Sequence, residues 1–250
     1  MIATLTNDPA VLHAGRIFMF KIDALIVVVA YFLGSIPAGY VIAKAHGIDI
    51  RKHGSGNIGA TNVWRTLGKK AGIAAFACDT IKGLLAVLLA KWLAARWHFE
   101  LHGADEAYYI FLPGPVAAIT GAVACIIGHN FPVWLGFKGG KGIATSLGVM
   151  IGMMPLTAVT SFAVWALLFF TTRYVSLASI FASLAVPIST LVFLFLGLMR
   201  GWPYLYFAIV IGVLAIWRHR ANIVRLLNGT EPRFEKKKKD ESGSQESRKE

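Results

Sequence analysis

The sequence predicts an all-α, polytopic integral membrane protein of about seven transmembrane helices, with its N-terminus outside and its C-terminus cytoplasmic. Three observations predict it. Of the 250 residues, 56% are apolar and only 15% charged, and mean hydropathy is +0.61, whereas soluble domains are roughly 45–50% apolar. The apolar residues gather into runs close to the roughly 20 residues a helix needs to cross a bilayer, and none alternates with the period of two of a membrane barrel. The formal charge of +12 is distributed loop by loop, a pattern that orients a membrane protein and does not point to nucleic acid.

Residues 1–21 carry Asp8 and Pro9 and little apolar continuity, so they are expected to form a polar N-terminal segment and not a cleaved signal peptide. A membrane-embedded domain follows over 22–234. Its apolar runs cover 22–43, 71–97, 108–130, 143–172, 177–198 and 203–217. The fourth is longer than one span needs and is interrupted by "GMMPL" at 152–156, so it is either one tilted helix or two short ones.

Charge chooses between them. If 143–172 crosses twice, or dips in and returns, one side collects Lys44, Arg51, Lys52, Arg65, Lys69, Lys70, Lys138, Lys141, Arg173 and the basic tail. The opposite side then holds "HFELHGADEA" at 98–107, which has no Lys or Arg. A single crossing would put the tail from Arg218 onward, including Lys236 to Lys239, outside, against the positive-inside rule. Residues 235–250 are low in complexity and highly charged, so they are expected to be a disordered, solvated tail with weak attraction to anionic lipid. Cys78 and Cys125 fall inside apolar runs and read as small packing residues.

The loop "GSGNIGATNVWRTLGKK" at 54–70 has Gly54, Gly56 and Gly59 in G-x-G-x-x-G order, but no βαβ unit surrounds it to make a dinucleotide site. What remains is the underlying physics: glycines let backbone N–H groups approach an anion closely. Ser55, Asn57, Thr61 and Asn62 add neutral donors, and Arg65, Lys69 and Lys70 add charge. Either this is an anion site, or Gly and Ser shape a loop whose basic residues obey topology.

A second loop, "GHNFPVWLGFKGGKGIATSLG" at 128–148, sets Gly139, Gly140 and Gly142 around Lys141, with Thr145 and Ser146 following. It is not a Walker A motif, because the spacing from Gly136 to Lys141 is wrong and Gly142 stands where Ser or Thr should be. Two such loops on one side favour phosphate recognition.

The third element is "WRHRANIVRLLNGTEPRF" at 217–234. Helical spacing would place Arg218 with Asn222 and Arg225, and His219 with Asn222, on neighbouring faces. A plain basic anchor needs neither Asn222 nor Glu231, and His219 is able to donate a hydrogen bond to an oxyanion. On the same side, Ser176 and Ser179 lie one turn apart.

Asp79 and Lys82 stand at i and i+3 within the second run, where pairing lowers the cost of charge in hydrocarbon. They read as a brace or as a functional pair, and a mixed role holding the helix of the first loop is expected. His13, His46, His53, His98 and His102 are scattered without metal spacing, so no metal and no cofactor are expected. Trp92, Trp97, Trp134, Trp202 and Trp217 sit near segment ends as headgroup-level anchors. There is no G-x-S-x-G elbow.

The segments "LGSIPAGYVIAK", "GSGNIGATNVWRTLGKKAG", "DTIKG", "GHNFPVWLGFKGGKGIAT" and "RHRANIVRLLNGTEPRF" together resemble the signature motifs of the bacterial acyl-phosphate:glycerol-3-phosphate acyltransferase family, PlsY. The resemblance covers nearly the whole chain apart from its ends. It implies transfer of a fatty acyl group from long-chain acyl phosphate to the sn-1 hydroxyl of glycerol 3-phosphate, giving lysophosphatidic acid without a thioester donor. It also implies seven helices in the bacterial inner membrane with a cytoplasmic active site, and a functional link to the soluble enzyme that makes acyl phosphate.

From the first motif the resemblance carries over Ser55 and Arg65 as residues on which activity depends, from the second Lys141 with its glycines, and from the third His219, Asn222 and Glu231, the last as structural support. Ser179 falls where the family has a serine near phosphate, while the neighbouring position, often also serine, is Ala178 here. Both substrates bear phosphate, so Arg, Lys and backbone N–H suit them. The mixed anhydride already has a good leaving group, and substrate phosphate is expected to assist deprotonation of the attacking hydroxyl. The H-x-x-x-x-D arrangement of the other glycerolipid acyltransferases is absent. A transporter or flippase of a phosphorylated metabolite is the alternative, and it would want binding groups at the midplane with access from both sides.

Overall fold

The computed structural model describes residues 9–102 and 113–234, and these are helical with no β-strand. The helices are α1 (Pro9–Ser35), α2 (Ala38–Ala45), α3 (Ala60–Leu67), α4 (Lys69–His102), α5 (Pro113–Asn130), α6 (Ile143–Met153), α7 (Pro155–Thr172), α8 (Val175–Phe195), α9 (Pro203–Arg218) and α10 (Arg220–Leu227). Half of the loop at 98–107 that has no Lys or Arg, and the tail lysines at 236–239, lie outside the described residues, as do the side chains of His13, Trp97, His98 and His102.

Five stretches among the described residues are long and apolar enough to cross a membrane: Lys21–Ala45, Lys69–Arg96, Pro115–Leu135, Pro155–Thr172 and Val175–Phe195. The pair α9 and α10, bent by 56° at His219, adds a sixth if the two helices are taken together as one span. The outer surface is apolar, with Phe195 77% and Val159 69% exposed, as expected where lipid is the solvent.

The expected single run over 22–43 is broken. Pro37 has no N–H to continue the ladder, so α1 stops at Ser35 and α2 restarts at Ala38. At the break the Ile36 carbonyl accepts the Ala38 N–H at 3.1 Å and a hydrogen bond from Lys82 Nζ at 2.8 Å.

The 143–172 run resolves into two helices. Pro155 opens α7 at its first turn, and Met154 between them is extended at φ −140°, the conformation a following proline favours. With 11 residues, α6 is about 16 Å long, half of the roughly 30 Å hydrocarbon core. It runs parallel to α4: Gly83 meets Thr145 and Val149, while further along Gly152 meets Leu84 and Val87. Gly148 lies so close to the Thr80 carbonyl that no Cβ fits between them. Such backbone approach is how helices gain packing energy when lipid is as apolar as their side chains.

Helix α7 then returns. The Arg173 carbonyl just beyond its end accepts the Phe234 N–H at 2.8 Å, and Phe234 packs edge-on against Trp64 with ring centroids 5.2 Å apart. Arg173, the first loop and the chain beyond α10 therefore meet at one face, the in-and-return arrangement of the charge pattern.

Candidate functional site

The first loop is organised from inside. Asn62 is only 3% exposed; its Nδ2 donates to the carbonyls of His53 (3.0 Å) and Asn57 (2.8 Å), and its Oδ1 accepts the Ser55 N–H at 3.0 Å. Asn57 turns inward as well, its Oδ1 accepting the Gly59 N–H at 2.8 Å. These two amides, read from sequence as donors to an anion, instead shape the loop, and the Ser55 backbone N–H is already taken. Gly54 (φ +56°) and Gly56 (φ +70°) supply the left-handed turns this requires. Ser55 is exposed and Thr61 partly buried.

Arg65, on α3, donates from Nη2 to the Pro232 carbonyl at 3.1 Å and lies over the Phe234 ring at 5.8 Å. It thus reaches a residue 167 positions away.

The second loop docks on the end of α5. Gly139 N–H donates to Asn130 O and Gly140 N–H to His129 O, both at 3.1 Å. From the other side the Arg218 guanidinium clasps the same turn, Nη2 donating to Gly139 O at 3.0 Å and Gly140 O at 2.5 Å, and Nε to Gly140 O at 3.1 Å. Gly142 takes φ +80° as the N-cap of α6. Thr145 is fully buried with its backbone against Gly83, so it faces α4.

Lys141, next in the turn, joins the second loop to the third motif: its Nζ donates to Asn222 Oδ1 at 2.5 Å. Asn222 Nδ2 donates in turn to Glu231 Oε1, and Arg225 Nε to Glu231 Oε2, each at 2.7 Å. Burial pushes the Lys141 ammonium down to about 8; Glu231 opposes this, while the charges of Arg225, Arg218 and Arg65 add to it. Burial alone would raise the Glu231 carboxyl, yet the nearby Ser176 hydroxyl and the hydrogen bonds from Asn222 and Arg225 hold it below the ordinary value. Lys141 therefore feels three further cations against a single carboxylate, a surplus that suits an anion.

One expectation is corrected here. His219 ends α9 and begins a 56° bend, so 217–227 is not one helix and the predicted neighbouring faces do not continue through it. Its Nδ1 is 2.8 Å from Ala215 O; a carbonyl only accepts, so Nδ1 carries the proton. Burial, then the Lys141 charge, push His219 down to about 4, leaving a neutral ring whose Nε2 accepts hydrogen bonds.

Asp79 and Lys82 are also placed differently from expectation. Their ion pair, 2.8 Å between Nζ and Oδ1, holds the α1–α2 break and α5 and not the helix of the first loop, because Lys82 Nζ reaches both Ile36 O and His129 Nδ1, the latter at 3.0 Å. His129 and Asn130 are the residues that sequence reasoning passed over, and Arg218, singled out with Asn222 and Arg225, turns instead to the glycine turn. A histidine at the end of an apolar run, beside a second run that carries a buried pair, was the available signal.

Below these groups runs an apolar cavity of about 300 Å³. Thr61, Trp64 and Phe234 line it near the polar cluster, Trp165 and Ser179 further along, and Met150, Val186 and Ile211 complete it. The Trp165 indole donates to Ser179 Oγ at 3.2 Å, which occupies a hydroxyl expected near phosphate.

A helical membrane bundle with a partly buried cationic cluster at one face, and an apolar cavity whose wall includes the Phe234 ring under Arg65, suits an anionic, lipid-tailed compound. The chain belongs to the glycerol-3-phosphate acyltransferase family, whose model matches residues 24–229. A glycerol-3-phosphate acyltransferase from Aquifex aeolicus is 48% identical over 211 residues, covering 84% of this chain and 97% of the relative. One from Desulforudis audaxviator is 46% identical over 211 residues, covering 84% and 94%. The crystal structure of PlsY (YgiH), an integral membrane glycerol 3-phosphate acyltransferase, in its glycerol 3-phosphate form, is similar with TM-score 0.70 and 45% identity over 85% of this chain and 96% of that one. The lysophosphatidic acid form matches with TM-score 0.68, 45% identity and coverage of 85% and 95%. Membership makes the chain an enzyme, an integral membrane acyltransferase of phospholipid synthesis, and decides against the transporter.

Proposed function

We propose that this enzyme transfers a fatty acyl group from a long-chain acyl phosphate to the sn-1 hydroxyl of glycerol 3-phosphate, at the cytoplasmic face of a bacterial inner membrane. In this reading residues 22–234 form the acyltransferase domain of seven membrane segments, N-terminus outside, and 235–250 form a charged tail. The observation that carries it is Lys141, 2.5 Å from Asn222, among cations in excess, one of which, Arg65, lies over Phe234 in the wall of the apolar cavity.

The acyl tail occupies that cavity while both phosphoryl groups meet the cationic cluster, with Lys141 and Arg65 as charged donors and the Ser55 hydroxyl and the backbone N–H groups of Gly54 and Gly142 as neutral ones; the N–H groups of Gly56, Gly139 and Gly140 are spent on His53, Asn130 and His129 and shape the loops. The sn-1 oxygen attacks the acyl carbonyl carbon; the tetrahedral oxyanion collapses, the carbon–oxygen bond to phosphate breaks, and phosphate leaves with the proton lost by the hydroxyl. Neutral His219 supports this as an acceptor that orients the glycerol hydroxyl. At about 4 it is too weak a base to take the proton fully, so substrate phosphate does so. Most of the acceleration then comes from positioning and from stabilising the oxyanion. Glu231 holds Asn222 and Arg225, and the soluble enzyme that forms acyl phosphate supplies the donor.

Purified protein incubated with palmitoyl phosphate and labelled glycerol 3-phosphate, with no thioester present, is expected to release lysophosphatidic acid and inorganic phosphate in equal amounts. No product from folded protein under these conditions, with product on adding a thioester donor, overturns the donor assignment.

A further inference from the structure

The glycine turn that carries Lys141 rests on a buried imidazole. His129 is 4% exposed and lies at the end of α5, where Lys82 Nζ approaches its Nδ1 at 3.0 Å. Asp79 Oδ1 lies 3.5 Å from the same Nδ1, farther than Lys82; an ammonium has three donors and no lone pair, so against the nearer Lys82 Nζ the Nδ1 is the acceptor and the ring proton sits on Nε2. That edge of the ring lies directly under Gly140: a Cβ at this position would fall on His129 Nε2. Gly140 N–H also bonds to the His129 carbonyl at 3.1 Å.

The column is continuous. Lys82, 5% exposed, is itself fixed by Asp79 at 2.8 Å and by Ile36 O at 2.8 Å. Above the ring come Gly140, Lys141 and Asn222. Arg218 presses the same turn from the opposite side.

We infer that His129 is a positioning residue, held by Lys82 as the Nε2–H tautomer, which sets the height of the Gly139–Gly140 turn and thereby the reach of Lys141 towards substrate phosphate. This rests on the reading above that Lys141 holds phosphate. A ring that only filled space would need no partner on Nδ1, whereas here the partner fixes its rotation, and a turn displaced by about 1 Å loses roughly 100-fold in productive geometry.

The test is a double-mutant cycle on solubilised full-length protein, reading glycerol 3-phosphate affinity by titration calorimetry and folding by the thermal midpoint. Lys141→Ala is expected to weaken binding roughly 10- to 100-fold. His129→Ala is expected to weaken it about 10-fold in the native background and less than about 2-fold once Lys141 is gone. His129→Asn, whose Oδ1 can accept from Lys82, is expected to recover most of the loss.

The same factor for His129→Ala in both backgrounds, or no effect in the first, overturns the positioning role. Unchanged affinity in Lys141→Ala overturns the phosphate assignment instead, so the two failures are distinguishable. If His129→Ala does not fold, Gly140→Ala displaces the turn from the loop side and enters the same cycle with the same readings.

Discussion

Two charged clusters lie inside this bundle and they are built on opposite principles. Around Asp79, one carboxylate meets one ammonium and one imidazole, and Asp79, Lys82 and His129 are each at most 5% exposed. Around Lys141, one carboxylate meets Lys141, Arg225, Arg218 and Arg65. The first is balanced and closed: Lys82 spends its donors on Asp79, Ile36 and His129. The second has positive charge left over and joins two loops and a helix end. A balanced cluster in hydrocarbon holds helices together, and a surplus of one sign holds a ligand.

The sharpest way to break this contrast is at its two centres. Lys141→Ala should lower kcat/KM about 1000-fold, the upper end for losing one transition-state donor, while leaving the unfolding midpoint near that of the native protein; a parallel collapse of both would make the second cluster structural too. Asp79→Leu should do the reverse. It leaves Lys82 without its counter-charge and should cost about 3–5 kcal/mol of stability, read from denaturant unfolding in detergent, and an unchanged midpoint would refute the closed cluster.

Asn222→Ala should follow with about a 100-fold loss of turnover, as Lys141 loses the oxygen that aims it and Glu231 loses a donor. Gly148→Ala acts on neither cluster directly. Its methyl would press on the Thr80 carbonyl and should cost about 1–3 kcal/mol, with KM unchanged if the site is independent of that crossing.

The smallest effect is on pH dependence. Because Lys141 lies at about 8, its ammonium is present below that pH and lost above it, so turnover should have fallen about 2-fold at pH 8 and further beyond. In Lys141→Arg the guanidinium stays charged, and the descending limb should flatten. His219 at about 4 remains neutral from pH 5 to 8 and should add no limb there.

The membrane class and the meeting of loops at one face were legible from hydropathy and charge, since both depend on composition and not on side-chain direction. Pro37 and Pro155 show where run length misleads: each divides a continuous apolar stretch by removing one N–H. Within the site, Lys141, Asn222 and Arg65 were legible as residue types. The inward turn of Asn57 and Asn62 was not, because an amide in a glycine loop serves a ligand or its own backbone equally well until the loop is folded. The protonated edge of His219 was not legible either, since it follows from a bond to Ala215 O in the helix bend. Trp64 and Trp165, not among the tryptophans assigned to the headgroup level, line the cavity.

The short stretch from Glu231 to Phe234 binds Asn222, Arg225, Arg65, Trp64 and the Arg173 carbonyl. These four residues follow α10 and belong to no helix. The lysine and arginines of the site thus owe their arrangement to a short strap outside the bundle, and catalysis requires that strap to be clipped into place.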